Sequence, residues 1–586
     1  ESRRALTVAG RRWLERPLLR REQLRELTRR TRQVLLLASL TGALTGLVVA
    51  VFERLTKEVL LDAVVHAPRG LQVAAPAVGL AVAVLCLRAG GRVSPATSDE
   101  YIRSFHDATG RLALRAVPAR MAAAVATLGS GGPLGYEGPS LYAGAAIGSA
   151  LQRRATRLFG PEDSKVLLVA GAAAGVAAIF KAPVTGLVFA LEVPYQEDLA
   201  RRMLLPAGIS AAASYVVFAA IAGTDPILPV SGQPPFNLVD LGGAAAIGLL
   251  CGLLARLFVA VVRSAKTLSA RAHPALRVAA GGGVLAATVI AARALGDGHL
   301  ALGPGYDALA WAMRPERGVL AVAALATLRV AGTAAVVGGG GTGGLFIPLV
   351  IQGALVGRAV GGLFEAQTTT LFPVVGMAAF LGAGYRVPLA AVVFVAEFTG
   401  RPGFVVPGLI AAIVAQLVMG RSSISPYQVA GRVGHLEQRL RLPLSAVIDT
   451  RAQTIARDAT VEDLWQRLVG TRQQSAVVVD GDLYCGLACA GDLAHVEHAV
   501  WETTRVDELM RTDVPIAAPA WPLGDAIRAM DGAGVDRLAV CDDGRFVGDI
   551  TAADLVQLDE ILDRTQASDM SERGPGTTPE GGIGRW

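Results

Sequence analysis

Residues 129–150 read Gly-Ser-Gly-Gly-Pro-Leu-Gly-Tyr-Glu-Gly-Pro-Ser-Leu-Tyr-Ala-Gly-Ala-Ala-Ile-Gly-Ser-Ala. One carboxylate, Glu137, stands alone in this apolar, glycine-rich run. A charge at membrane depth costs at least ~2.5–3.5 kcal/mol, so an intramembrane carboxylate marks a functional centre. Pro139 suits the first turn of a helix that runs on through Ala143, Gly144 and Gly148. The N-terminus of that helix presents free amides and about half a positive elementary charge, a place for an anion. Glu137 can be that anion or compete with one. The plain alternative is a helix-end carboxylate with no part in transport.

The stretch recurs. Gly135-Tyr136-Glu137-Gly138-Pro139, followed by Gly144 and Gly148, matches Gly344-Leu345-Phe346-Ile347-Pro348, followed by Gly353 and Gly357, at one constant offset. At nearly the same offset, Phe180-Lys181-Ala182-Pro183 with Val188-Phe189 and Glu192 matches Tyr385-Arg386-Val387-Pro388 with Val393-Phe394 and Glu397. Paired apolar segments broken by Gly and Pro point to a site at the interface of two repeats, built from the ends of discontinuous helices. The expectation is an anion site shared by both halves.

The chain has 586 residues, is 52% hydrophobic and carries a net charge of +6. It is too long for one domain and too apolar for an ordinary soluble protein, so it reads as a multi-pass membrane protein with soluble additions. Residues 1–33 hold eleven arginines against four glutamates, which predicts a cytoplasmic N-terminus. The basic excess sits before the first span, which argues against a nucleic-acid partner. The five cysteines lack metal-ligand spacing and are expected free. In the apolar region no Ser/His, His/Glu or Asp/Asp pair stands at catalytic spacing, which speaks against an intramembrane enzyme. An ion-driven carrier of organic solutes fits the repeat, but a glycine-lined site made of helix ends suits a small inorganic anion better.

Long apolar runs predict spans at Val34–Phe52, Leu71–Leu87, Met203–Ile221, Leu241–Val262, Val278–Ala292, Val319–Val337 and Val405–Met419. Val166–Phe180, Val184–Val193, Val374–Ala383 and Pro388–Phe398 are too short to cross alone, as broken or tilted helices at a site would be. Between Arg88 and Arg120 the chain is polar, with Ser98 and Asp99 placed to cap a short helix. Hydropathy falls from about residue 434. Beyond it Ser475–Asp480, Gly486-Leu487 and Asp492 parallel Arg537–Asp542, Gly548-Asp549 and Asp554, with helical runs at Val461–Leu468 and Leu523–Met530. The Gly/Pro/Ser/Thr-rich tail 567–586 is expected to be disordered.

These motifs resemble the CLC family of chloride channels and proton-coupled chloride exchangers that carry a C-terminal pair of CBS modules. The resemblance covers residues 34–430 and 443–562. It implies an all-α multi-pass membrane domain of inverted repeats with broken helices, the halves at about 34–222 and 238–430. An α/β CBS pair at 443–500 and 501–562 follows. Gly135–Pro139 looks like the family's G-[RK]-E-G-P loop, whose glutamate is the gate, with Tyr136 in place of the basic residue. Gly344–Pro348 matches G-x-F-x-P, which assigns the backbone amides at Leu345 and Phe346, with Gly344 and Gly138 beside them, to the central chloride. Tyr427 matches the tyrosine whose hydroxyl contacts that ion.

Two departures bear on function. The family's serine loop falls on Pro95-Ala96-Thr97-Ser98, with Ala96 in the serine's place, so a hydroxyl from Thr97 or Ser98 would have to substitute, and selectivity among chloride, nitrate and fluoride is open. The inner glutamate through which exchangers pass protons falls on Val193, which carries no proton. That favours a passive chloride channel, with a chloride/proton antiporter as the alternative. Glu192 and Glu397 read more readily as helix caps or ion-pair partners than as proton carriers. Lys181 and Arg386 either reach toward an interface or draw chloride toward a vestibule. Thr551 and Asp554 form the T-x-x-D pattern that in CBS modules contacts ribose, with Asp492 a weaker counterpart in the first module. The pair is therefore either a dimer brace or a sensor of ATP, ADP or AMP, and no cofactor is required. The family further implies homodimers in the cell membrane, surrounded by lipid, with the CBS pair in the cytoplasm.

Overall fold

The computed structural model describes residues 31–551 except 108–109, 160–163, 225–237, 297, 315, 364–369, 432–441 and 449–453. The arginine-rich residues 1–30, Asp554 and the 567–586 tail lie outside the described residues. The chain divides into two compact units, Glu1–Arg432 and Val433–Arg585.

The first unit is helical. Its first half holds α1 (Thr31–Val65), α2 (Arg69–Ala89), α3 (Ser98–His106), α4 (Val117–Gly129), α5 (Glu137–Arg154), α6 (Val166–Phe180), α7 (Pro183–Glu192) and α8 (Leu204–Ala222). The second holds α9 (Leu238–Ala270), α10 (Pro274–Ala292), α11 (Tyr306–Ala312), α12 (Val319–Gly339), α13 (Phe346–Leu363), α14 (Leu371–Tyr385), α15 (Pro388–Thr399) and α16 (Val405–Met419). Among the described residues, 8 helices are long and apolar enough to cross a membrane. The apolar side chains these helices leave exposed, among them Leu36, Leu85, Leu257 and Leu320, would be a liability in water and suit lipid. The short helices differ. The 10 residues of α7 span only about 15 Å, half of a ~30 Å hydrocarbon core. α7 buries Thr185, Gly186 and Phe189 through Glu192 against protein and leaves Val184 exposed.

The repeat seen in the sequence is also a repeat of packing. Gly144 on α5 lies against the carbonyl of Gly171 on α6, where an added Cβ would sit 2.0 Å from the oxygen. Gly353 on α13 meets the carbonyl of Gly376 on α14 with the same 2.0 Å clearance. Each pair lets two helix backbones approach more closely than any side chain allows, the usual basis of small-residue helix packing in membranes. α6 and α14 also end alike, on left-handed residues with φ of 51° at Lys181 and 57° at Arg386. Each then turns through a proline into the next short helix.

The second unit is α/β. Strands β1 (Thr454–Ala456), β2 (Ser475–Asp480), β3 (Leu483–Cys489), β4 (Arg537–Asp542) and β5 (Arg545–Thr551) form one sheet in the order β1-β2-β3-β5-β4, flanked by α17 (Val461–Thr471) and α18 (Leu523–Ala533). A reciprocal capping box between Thr460 and Asp463 starts α17. The two modules exchange their ends. Leu444 packs into the core of the second module and its amide bonds Trp521, whereas Val506 packs into the first and bonds Ala459. They are also joined by a buried cluster, in which Arg537 pairs with Asp549, donates to Gln473 at 2.7 Å and reaches Ser475, itself bonded to Asp536 at 2.6 Å. Removing one partner of a buried ion pair strands the other charge. Arg537→Ala should therefore cost about 3–5 kcal/mol, read as a lowered unfolding midpoint of the soluble unit within the purified protein. A shift no larger than that of an exposed arginine such as Arg528 would show the cluster to be energetically idle.

Candidate functional site

The two glycine loops meet. Gly135 and Gly344 form an antiparallel bridge, each amide donating to the other's carbonyl at 2.8 and 2.7 Å. The bridge sets the N-termini of α5 and α13 beside each other, so that two helix dipoles converge on one point. Glu137, only 1% exposed, lies there, and its Oε1 accepts from the Phe346 amide at 2.7 Å. Its Oε2 has no partner among the described residues. A Cβ on Gly344 would fall 1.9 Å from Oε1, and one on Gly135 the same distance from Oε2. Glycine is therefore the residue that leaves the carboxylate room.

Around this point stand hydroxyls and amides. Thr97, the residue before α3, is 3% exposed with its Oγ1 unpartnered among the described residues. A Cβ on Gly138 would come within 2.6 Å of that oxygen, which places the threonine hydroxyl against the first turn of α5. Ser98, the first residue of α3, is also buried, and so is Tyr385, whose ring meets Phe189 edge-on at 5.7 Å and whose carbonyl accepts from Gln428 at 2.7 Å. The Phe346 ring is held by Phe180 at 4.7 Å, Phe394 at 4.9 Å and Phe189 at 5.1 Å. Its side chain packs while its amide faces the carboxylate. Tyr136, at the family's basic position, is buried against Phe52, with its hydroxyl unpartnered among the described residues.

Tyr427 is placed otherwise. It is 39% exposed, and its described hydrogen bond is a backbone one, to Ser425 at 3.4 Å.

Val193 is fully buried and its carbonyl accepts from Gln428 at 2.9 Å. Glu192 beside it is a cap, accepting from the amides of Leu389 at 3.1 Å and Ala390 at 2.8 Å at the start of α15. Glu397, at the end of α15, returns the arrangement by accepting from Val184 at 3.0 Å and Thr185 at 2.7 Å at the start of α7. Each half thus caps the other's short helix, and the charge is spent on orphan amides. Arg386 pairs with Glu197 at 3.1 Å, and the Lys181 ammonium donates to the Ala222 carbonyl at 3.1 Å.

In the soluble unit Thr551 ends β5, and Asp492 begins a short turn of helix with its Oδ2 buried and unpartnered among the described residues. A cleft of about 250 Å³ in the same unit is lined by Tyr484, Ile516, Trp521 and Cys541, and neither Thr551 nor Asp492 borders it.

Helices broken at a glycine-lined centre, where two N-termini converge on amides and hydroxyls, define a membrane protein that handles anions. A family model described as voltage gated chloride channel matches residues 78–420, more than half of the chain, and a CBS domain model matches residues 506–560. The chain belongs to this CLC family of anion transport proteins and carries CBS structure at its C-terminal end. The H(+)/Cl(-) exchange transporter ClcA of Vibrio parahaemolyticus is 30% identical over 330 residues, covering 52% of this chain and 68% of that protein. ClcA of Cronobacter sakazakii is 28% identical over 416 residues, covering 66% and 86%. Of solved structures, a CLC-type fluoride/proton antiporter superposes with a TM-score of 0.60 at 22% identity, over 69% of this chain and 98% of that one. A eukaryotic CLC transporter gives a TM-score of 0.55 at 19% identity, over 89% and 98%.

The reciprocal caps give a prediction about architecture. Glu192→Ala and Glu397→Ala should each destabilise the membrane unit by about 1–3 kcal/mol, since each strands two amides at the start of a helix. Thermal unfolding in detergent would show comparable losses for both. A loss confined to one would break the symmetry argued here.

Proposed function

We propose that the protein exchanges chloride for protons across the cell membrane, with Glu137 as the gate. The observation that carries this is the seat of the Glu137 carboxylate on the Phe346 amide, between two helix N-termini, where a permeating anion would be held. Glu137 and chloride compete for the same donors. Protonation removes the charge that binds Glu137 there, frees the Phe346 amide and carries a proton with the side chain. The passive-channel expectation rested on Val193 alone. Exchange is supported by the relatives named as H(+)/Cl(-) exchange transporters, and it requires the inner proton step to pass around Val193 through water or hydroxyls. The reading includes a homodimer in lipid, with the arginine-rich N-terminus and the CBS pair in the cytoplasm, and no enzymatic step.

Liposomes loaded with chloride and no initial proton gradient test it. Chloride running down its gradient should drive protons uphill, and flux should rise as pH falls, because the protonated fraction of Glu137 rises. Glu137→Gln should abolish proton movement and flatten the pH response while chloride still passes. Chloride flux that leaves internal pH unmoved in the unmutated protein would return the passive channel.

A second reading concerns the CBS pair as an adenine-nucleotide sensor. It is favoured by the buried, unpartnered Oδ2 of Asp492, at the position that corresponds in the module repeat to Asp554. A bound nucleotide could bias transport only through different affinities for two conformations. Calorimetry on the purified protein with ATP, ADP and AMP should give heat with at least one of them, lost in Asp554→Ala or Asp492→Ala. No heat with any would leave the pair as a dimer brace.

A further inference from the structure

We propose that His106 carries protons on the inner side of the membrane unit, beside Val193, which cannot. This rests on the exchange reading of Glu137 and names the side chain that feeds its proton step.

α3 begins beside the centre, where the Thr97 hydroxyl lies against the first turn of α5, and its 9 residues carry the chain about 14 Å onward to His106. Two hydrogen bonds sew α3 to the end of α7. The Tyr101 hydroxyl donates to the Ala190 carbonyl at 2.7 Å, and the His106 ring bonds the Pro194 carbonyl, also at 2.7 Å. Pro194 follows Val193 directly, so the imidazole is fastened to the residue next to the one that carries no proton. One short helix thus starts at the anion centre and ends beside Val193.

The contact with Pro194 selects one nitrogen. A carbonyl only accepts, so the His106 Nε2 bears the hydrogen and donates it. In the neutral ring Nδ1 is then the basic nitrogen, and imidazole changes charge between about pH 5 and 8. Loading forms an N–H bond at Nδ1 and breaks an O–H bond of hydronium. Release to a water on the way to Glu137 reverses both, and the Nε2 bond to Pro194 persists throughout. The ring is therefore held while its charge changes.

The surroundings suit that role. His106 is half-buried, and its ring lies edge-on to Phe105 at 5.1 Å and to Tyr195 at 5.5 Å, which fixes its orientation. It closes the last turn of α3, where the partial negative charge of a helix end tolerates an imidazolium. On α3 itself Arg103 pairs with Glu100 at 2.8 Å, and Asp107 follows as the C-cap. From the residue before α6, the Lys165 ammonium lies 5.6 Å over the Phe105 ring. Glu192, at the end of α7, is engaged by the Leu389 and Ala390 amides. Gln428 ties the same segment to α14 through the carbonyls of Val193 at 2.9 Å and Tyr385 at 2.7 Å, but a neutral amide carries no proton.

His106→Gln separates a proton carrier from a structural donor, because glutamine keeps an N–H for the Pro194 carbonyl and takes no proton. The full-length protein is reconstituted in liposomes with a chloride gradient and no initial proton gradient, and both ions are followed together. The unmutated protein should move protons uphill, faster as pH is lowered through the histidine range, about 5–8. His106→Gln should lose proton movement down to the level of Glu137→Gln while chloride flux persists. Proton movement that survives in His106→Gln overturns the proposal. So does a joint loss of chloride and proton movement, which makes the histidine a structural tie. A rate in the unmutated protein that is indifferent to pH across that range overturns it without any variant. Absence of chloride-driven proton movement in the unmutated protein refutes the exchange reading, and this inference with it. Exchange that is present but indifferent to His106 refutes the inference alone.

Discussion

The membrane unit depends on one short contact, the pair of hydrogen bonds between Gly135 and Gly344. Two backbone amides and two carbonyls are satisfied there without either loop entering a helix. The two helices that follow must then begin side by side. Unpaired amides at membrane depth are costly, and irregular backbone is tolerated only where protein or a cavity answers it. The bridge meets part of that demand, and of what it leaves over at the start of α13 the Glu137 carboxylate takes the Phe346 amide. On the proposed reading, the function is built from backbone groups that a continuous helix would have used up.

The same economy governs the outer pair of short helices. α7 and α15 would each begin with orphan amides, and each takes its cap from the far end of the other, through Glu397 and Glu192. Neither half can complete these helix ends alone, so the repeat interface is a condition of folding as well as the place where a site forms. This gives Glu192 a complete structural account. Although it adjoins Val193 in sequence, its oxygens are engaged by two amides, and it is a poor stand-in for a proton relay at that position.

Much of this was legible in the sequence because the repeat writes itself twice. Gly135–Pro139 against Gly344–Pro348 located the centre, and the matched glutamates announced their symmetry before any partner was known. The short spans were legible for a simple reason: Val166–Phe180 is bounded by Lys165 and Lys181, and the helix keeps those bounds. Other features depend on tertiary reach. α4 begins within a polar stretch and keeps Arg120 buried by pairing it with Glu100 at 3.1 Å, so hydropathy alone hid its start. α9 continues past Val262 through Arg263 and Lys266, whose charges find Ser423 and Asp99. The exchange of ends between the CBS modules leaves no mark on local pattern, since Leu444 and Val506 look alike whichever core receives them. The motif that points to Tyr427 fixes its sequence position and not where its side chain ends, and that side chain is 39% exposed.

On the proposed reading, the charges near the centre make a proton the natural control. Arg386 is held by Glu197 and Lys181 by a carbonyl, so the repeat-matched cations already have partners, and the group described as bonding Glu137 is the Phe346 amide. Dipolar donors bind an anion firmly enough to admit it and weakly enough to release it, as permeation demands. A fixed cation would hold it. With no such cation among the contacts described around Glu137, the net charge there changes chiefly when Glu137 gains or loses a proton, and each gain removes the one competitor able to occupy the Phe346 amide. On the proposed reading, anion entry and proton uptake are linked through the same oxygen, whatever route brings the proton past Val193.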